Sequence, residues 1–199
     1  MLGDLSAKYE SNGDCGTISN SDGDAGGKSY GSYQFAMNAG VPEAFVEWLN
    51  DTSNSLAALL TAEPGSVEFD VQWKGAAQNY NNAFQQAQWG YVKAQYFDAA
   101  VANLQGIGYD VMTRSEAMQQ VLWSRAVQYS PHYMPDLWQE AVKLAGQDLS
   151  DISDHDLIYN IYEVNLTDPD WTSGSPDERP GLFARFNAER DDALAMLPA

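Results

Sequence analysis

Glu10 closes a short run of helical spacing beside Tyr9, and two aspartates, Asp22 and Asp24, follow in a loop rich in glycine and serine. A carboxyl group on a rigid helix and a second one on a facing loop are what glycosidic bond cleavage uses. One protonates the leaving oxygen, and the other activates water or stabilises the developing cation. The acid needs a raised pKa, hence a rigid and partly apolar setting, and a helix end beside a tyrosine suits it. The composition tempers this reading: 28 of the 199 residues are Asp or Glu, and most of those solvate the surface. From spacing alone, the partner of Glu10 stays open between Asp22 and Asp24.

These residues need elements to hold them. Leu2, Leu5 and Tyr9 recur at helical spacing, which predicts a short helix over 2–10, ended by Gly13 and Gly16. Residues 17–19 and 28–35 read as two strands of one small hairpin, the second through its alternating run from Ser29 to Phe35. Between them, 20–27 carries two Asp and three Gly and reads as a turn-rich loop. Beyond the hairpin the chain is nearly all helix. Pro42 opens one through about Leu49, and 53–61 forms another. Trp73, Ala77, Tyr80, Phe84, Ala87 and Tyr91 form one apolar stripe, which predicts a long helix from about Ser66 past Asn103, with Gly90 as the place for a kink. Ser115 to Tyr129 is apolar on most sides, the pattern of a buried central helix. Helices follow at about 134–145, 153–164 and 181–197, with a surface loop over 167–180. The expected fold is mainly α, two helical lobes with one small β-hairpin near the N-terminus, in a single catalytic domain over 1–199.

The net charge is −18, with only 10 Lys and Arg. Nucleic-acid binding is excluded as a working class, because phosphate neutralisation needs basic side chains. A basic surface that clings to anionic polymers is excluded too, so affinity for a wall polymer would have to come from a cleft. Cys15 is the one cysteine and forms no disulfide within the chain. His132 and His155 are too few for a Cys/His zinc site. Asp14, Asp22 and Asp24 lack the order of a calcium loop, so neither metal nor cofactor is expected. No apolar run approaches the ~20 residues of a membrane span. Residues 1–10 hold Asp4, Lys8 and Glu10 and no apolar core, so no signal peptide is read. The chain reads as a piece of a longer protein, or as a product exported without a cleaved leader.

The wording of the hairpin region adds to this. Tyr9-Glu10-Ser11-Asn12-Gly13, Gly16-Thr17-Ile18-Ser19, Gly23-Asp24-Ala25-Gly26-Gly27 and Ser29-Tyr30-Gly31-Ser32-Tyr33-Gln34 occur in that order. In that order they resemble the lysozyme-like, chitosanase-related peptidoglycan hydrolase domains of phage lysins and of the C-termini of some type VI secretion spike proteins. A second block, 114–131, resembles the family's buried helix ending in Ala126-Val127-Gln128. The resemblance covers 5–36 and 66–131, and implies Glu10 as general acid and Asp24 as the second carboxylate. It implies Ser29, Tyr30, Tyr33 and Gln34 as the lining of the sugar cleft, with Gln128 supporting the site from behind. One departure stands out: Tyr129 occupies a position where the family often has His. Gly31 is expected to let a sugar ring lie flat on its strand, and Gly26-Gly27 to let the backbone turn beside a polysaccharide.

The function this implies is a bacteriolytic muramidase that cleaves the β-1,4 bond between N-acetylmuramic acid and N-acetylglucosamine. Its partners are peptidoglycan and, as a further candidate, an immunity protein, with no nucleic acid and no membrane span. It is expected to be a monomer, secreted or delivered to the bacterial periplasm and cell wall by a type VI system or a phage. Lytic transglycosylase and chitosanase activities are the rival chemistries. Outside catalysis, the rival is a module that binds cell-wall sugars.

Overall fold

The structure, a computed structural model, describes residues 1–10, 13–20, 27–172 and 179–198. Its described elements are mainly helical, with one small antiparallel sheet. The chain forms two compact units. One is the continuous stretch Glu10–Lys93, and the other joins Met1–Tyr9 to Ala94–Ala199. No helix among the described residues is long and apolar enough to cross a membrane.

In the 10–93 unit, strands β1 (Ile18–Ser19), β2 (Ser29–Tyr30) and β3 (Phe35–Ala36) make one antiparallel sheet in the order β1-β2-β3. Ser19 pairs with Ser29, and Tyr30 pairs with both Ile18 and Phe35. The expected hairpin is thus a three-stranded meander. The run read as one strand over 28–35 turns back on itself at 31–34, where Gly31 (φ +75°) and Gln34 (φ +50°) are left-handed. Such angles end an extended segment whatever the alternation of side chains implies.

Helices α2 (Val41–Asp51), α3 (Val67–Asn79) and α4 (Asn81–Val92) complete this unit, with a 3₁₀ turn over Ser55–Leu59 where a longer helix was expected. The indole of Trp73 is fully buried at its centre, with ring centroids of Phe84 at 4.8 Å, Tyr30 at 5.2 Å, Phe45 at 5.7 Å and Phe69 at 5.8 Å. The single long helix expected from the stripe is broken at Tyr80 (φ −132°), so α4 folds back against α3. Asn79, Asn81 and Asn82 surround the break, and asparagine side chains compete with helical backbone bonds. Gly90 lies inside α4. A Cβ there would stand 3.2 Å from the Trp48 ring, so the glycine makes room for an indole.

Gly31 is likewise a packing glycine. A Cβ on it would meet Gln88 Oε1 at 2.3 Å and Trp73 Cζ2 at 2.9 Å. The strand face is therefore filled from within the protein, which replaces the expectation of an open platform for a sugar ring. Gly31→Ala must adopt a left-handed angle and displace Gln88, and is expected to lower stability by about 2–4 kcal/mol. Urea unfolding of the variant beside the parent chain reads this directly, and an unchanged midpoint would contradict it.

The second unit is built on α6 (Glu116–Tyr129), capped by Ser115, whose hydroxyl accepts from the Met118 N–H. Its residues from Met118 to Ala126 are buried apart from Gln119, as the sequence leads one to expect. A π-helical turn (Lys93–Phe97) leads from α4 into α5 (Asp98–Gly106), and α7 (Met134–Ala145), α8 (Asp154–Thr167) and α9 (Arg179–Ala195) pack in succession. Helix α1 (Asp4–Glu10) joins this group. The Gly3 N–H donates to Gln120 Oε1 at 2.9 Å, and Gln120 Nε2 donates to the Met1 carbonyl at 2.7 Å.

Candidate active site

Glu10 is the last residue of α1. Its side chain, and the whole of Asp22 and Asp24, lie outside the described residues. What the structure gives is how tightly their surroundings are held. The last turn of α1 is moored to α9, where the Tyr9 hydroxyl and Lys8 Nζ both reach Asp192 Oδ2. These two bonds hold the Asp192 carboxyl below its ordinary range. Burial and that carboxylate push the Tyr9 hydroxyl far above its usual value, so it stays protonated as a donor. The helix end bearing Glu10 is thus fixed one residue away by a charge-assisted hydrogen bond.

Asp24 falls in the sequence between β1 and β2. The described residues on either side of it are pinned. Ser19 Oγ donates to Gln34 Oε1 at 2.6 Å, while Lys28 Nζ donates to the Gly65 carbonyl at 2.9 Å and to Asp70 Oδ2 at 2.7 Å. Gly27 (φ +68°) sits where a Cβ would meet the Asn38 side chain at 2.9 Å. Asp14, the other aspartate near this loop, is exposed and spends its carboxylate on the Gly16 N–H at 2.8 Å, holding its own turn.

The structure brings four of the expected lining residues together, in β2 and in the turn between β2 and β3. Ser29 is buried within β2, and Tyr33 is buried in the 31–34 turn. Tyr30 is fully buried, edge-on to Phe69 at 5.4 Å, and its hydroxyl donates to Asp70 Oδ1 at 2.6 Å. Its ring faces are taken up by protein, so its contribution is to shape the sheet and not to offer a stacking surface. Burial and Asp70 push its hydroxyl far above the ordinary value, which keeps it out of acid–base work. Burial pushes Asp70 the other way from its partners, but the hydrogen bonds from Lys28 and Tyr30 prevail and lower its pKa.

Gln34 is half-buried, and its amide is held at both ends, since Nε2 donates to the Gly31 carbonyl at 2.9 Å. A non-glycine residue at φ +50° costs about 1–2 kcal/mol, and such positions cluster at functional sites. Gln128 lies in the last turn of α6, half-buried, in the other unit.

Sequence reasoning missed two supports. Gln88, fully buried on α4, takes the Ser32 N–H at 2.9 Å and gives to the Cys15 carbonyl at 3.0 Å. Trp73 Nε1 donates to the same carbonyl at 2.9 Å. Nothing in the sequence marks Gln88 apart from its neighbours. The Lys28–Asp70 pair carried a fainter signal, since a lysine at a strand start is uncommon in a chain with so few bases.

The sequence model of the family described as "Type VI secretion system spike protein VgrG3-like, C-terminal" matches residues 2–190. The chain belongs to this family. Within that VgrG3-like C-terminal family, the chain is 31% identical over 197 residues to the type VI secretion system spike protein VgrG3 of Vibrio cholerae serotype O1 (strain ATCC 39315 / El Tor Inaba N16961). That alignment takes in 98% of this chain and 19% of the relative, so the chain spans about a fifth of the spike protein's length. Among solved structures, a chitosanase complex superposes with a TM-score of 0.63, covering 95% of this chain and 88% of the chitosanase at 16% identity. The VgrG3-like domain therefore shares the mainly helical, lysozyme-like fold of a chitosanase.

Proposed function

We propose that this domain is a peptidoglycan glycoside hydrolase of the muramidase type, delivered by a type VI secretion spike to the periplasm and cell wall of a target bacterium. Glu10 protonates the oxygen of the β-1,4 bond between N-acetylmuramic acid and N-acetylglucosamine. Asp24 activates the attacking water from the opposite face. Ser29, Tyr33 and Gln34 border the cleft, and Tyr30 braces their strand. An immunity protein in the producing cell is the partner such an activity calls for.

The observation that carries this reading is the paired anchoring of the two carboxyl positions. Glu10 closes a helix whose final turn is tied to Asp192, and Asp24 falls in the sequence between Ser19 and Lys28, both of which are tied. General acid catalysis by a carboxyl needs that fixity. Membership of the spike-protein family supports the delivery route. A chitosanase reading draws on the shared fold and on a charge of −18 facing a cationic polymer.

Mass spectrometry of digested walls tests the chemistry. Reducing muramic acid ends are expected, whereas anhydro-muramic ends would mean a lytic transglycosylase. Asn variants at positions 14, 22 and 24 test the partner. Asp24→Asn alone is expected to lose activity, by about 10²-fold or more, with inverted product configuration in the parent chain if the carboxyl groups stand ~6.5–9.5 Å apart. Full activity in Asp24→Asn would leave Glu10 as a lone acid and favour the transglycosylase.

A further inference from the structure

A helix as short as α1 has few internal hydrogen bonds, and its ends are where fraying begins. The two ends of α1 are held by different means. The first turn is tied to α6 through Gln120, which accepts from the Gly3 N–H and donates to the Met1 carbonyl. Leu5 and Ser6 bury the middle. The last turn, which bears Glu10, is held from α9.

Asp192 makes that contact with one oxygen, Oδ2, which accepts from both the Tyr9 hydroxyl and Lys8 Nζ. Neighbouring side chains on a helix point in different directions. Their convergence on a single atom leaves this turn little freedom to rotate. The two bonds are unequal. Lys8 is 59% exposed, and an exposed ion pair contributes little. The Tyr9 bond is partly buried and charge-assisted, which is the stronger kind.

Helix α9 is itself anchored around Asp192. One turn back, Glu189 is fully buried and accepts from Arg125 Nη2 of α6 at 2.7 Å. Arg190 Nη1 donates to Glu163 Oε1 of α8 at 2.6 Å. Phe186 and Ala193 are fully buried. The neighbouring acid, Asp191, pairs with Arg190 at 3.5 Å. Asp192 is the carboxylate with which this fixed helix reaches α1. The chain passes from one compact unit to the other between Tyr9 and Glu10. The bond therefore holds the last residue of its unit, and Glu10 follows directly.

We infer that Asp192 is a positioning residue for the Glu10 acid, acting through the Tyr9 hydroxyl. The inference rests on the role proposed for Glu10 and adds to it a support from the far end of the chain. Asp192 holds the last turn of α1, and Glu10 takes its place from that turn. Proton transfer depends steeply on such placement. Substrate binding by the rest of the cleft does not run through Asp192, so the loss should fall on kcat and not on KM.

The test compares Tyr9→Phe, Asp192→Ala and the two together, each alone and combined with Glu10→Gln, on solubilised peptidoglycan well below every variant's melting temperature. With Glu10 present, Tyr9→Phe and Asp192→Ala are each expected to lower kcat about tenfold or more, with KM held within about twofold. The pair should lose no more than Asp192→Ala alone, because both changes break the same bond. On top of Glu10→Gln, Asp192→Ala should add less than about a twofold further loss, since no acid is left to misplace. A merely structural role would instead reduce the working protein by the same factor in both backgrounds. An unchanged kcat in Tyr9→Phe, a loss carried by KM, or full multiplication of the two losses on top of Glu10→Gln would each overturn the inference. Tyr9→Phe keeps the ring, so it carries the test if Asp192→Ala fails to fold. Glu10→Gln alone tests the reading beneath. Activity retained there would remove the acid and this inference with it. An inactive Glu10→Gln beside an unaffected Tyr9→Phe would remove this inference and leave the acid in place.

Discussion

Glu10→Gln is expected to slow hydrolysis of purified wall by about 10²–10⁴-fold while the protein stays folded. The substitution removes one proton and leaves the side chain's shape, so substrate binding should survive and the loss should fall on kcat. The mooring of α1 does not depend on residue 10. It runs through Gly3 and Gln120 at one end and through Tyr9, Lys8 and Asp192 at the other. An unchanged melting temperature with activity lost is therefore the expected pair of results. Activity above about a tenth of the parent rate would remove Glu10 from the acid's role. Loss of both binding and fold would show instead that the residue is structural.

The largest stability effect is expected at Glu189. Arg125 and Glu189 are both fully buried, with Nη2 and Oε2 2.7 Å apart. Arg125 also gives hydrogen bonds to Asn165 Oδ1 at 3.2 Å and Ser124 Oγ at 2.9 Å. Its guanidinium lies over the rings of Phe186 at 4.6 Å and Tyr162 at 4.8 Å. Burial alone would lower the pKa of this group, but the Glu189 carboxylate prevails and raises it. Taking Glu189 away strands a cation in the core, a change that costs about 3–5 kcal/mol. A typical domain has about 5–15 kcal/mol in total, so Glu189→Ala should lose a large share of its stability and melt well below the parent chain. The double variant Arg125→Met, Glu189→Leu removes both charges and fills similar volume. It should lose much less than Glu189→Ala by urea unfolding. If the double change were as damaging as the single one, the cost would lie in packing and not in the unpaired charge.

The sequence was most legible where one physical rule acted alone. The central helix over 116–129 is apolar on nearly every side, and burial leaves it no other role. Helices α7, α8 and α9 followed from their periodicity to within a few residues. The stripe from Trp73 to Tyr91 misled because a helix and its folded-back continuation can share an apolar face. The break at Tyr80 rests on asparagines whose local bonds compete with the helix. The alternation in 28–35 misled for a related reason. Alternation reports which side a residue faces, while the turn at Gly31 and Gln34 is set by backbone angles. At the candidate site, the glycines were visible but their reason was not. Gly31 is small because Gln88 and Trp73 come close, and both arrive from far along the chain.

The path of the chain between its two units bears on when the protein becomes whole. Residues 10–93 form an unbroken stretch with their own aromatic core, and such a stretch can condense as it leaves the ribosome. Helix α1 emerges before it and must wait. Its contacts are Gln120 on α6 and Asp192 on α9, so the helix that carries Glu10 gains its full mooring only once α9 has been made. A protease that trims α9 removes Asp192, and with it the bonds from Lys8 and Tyr9 that hold the last turn of α1.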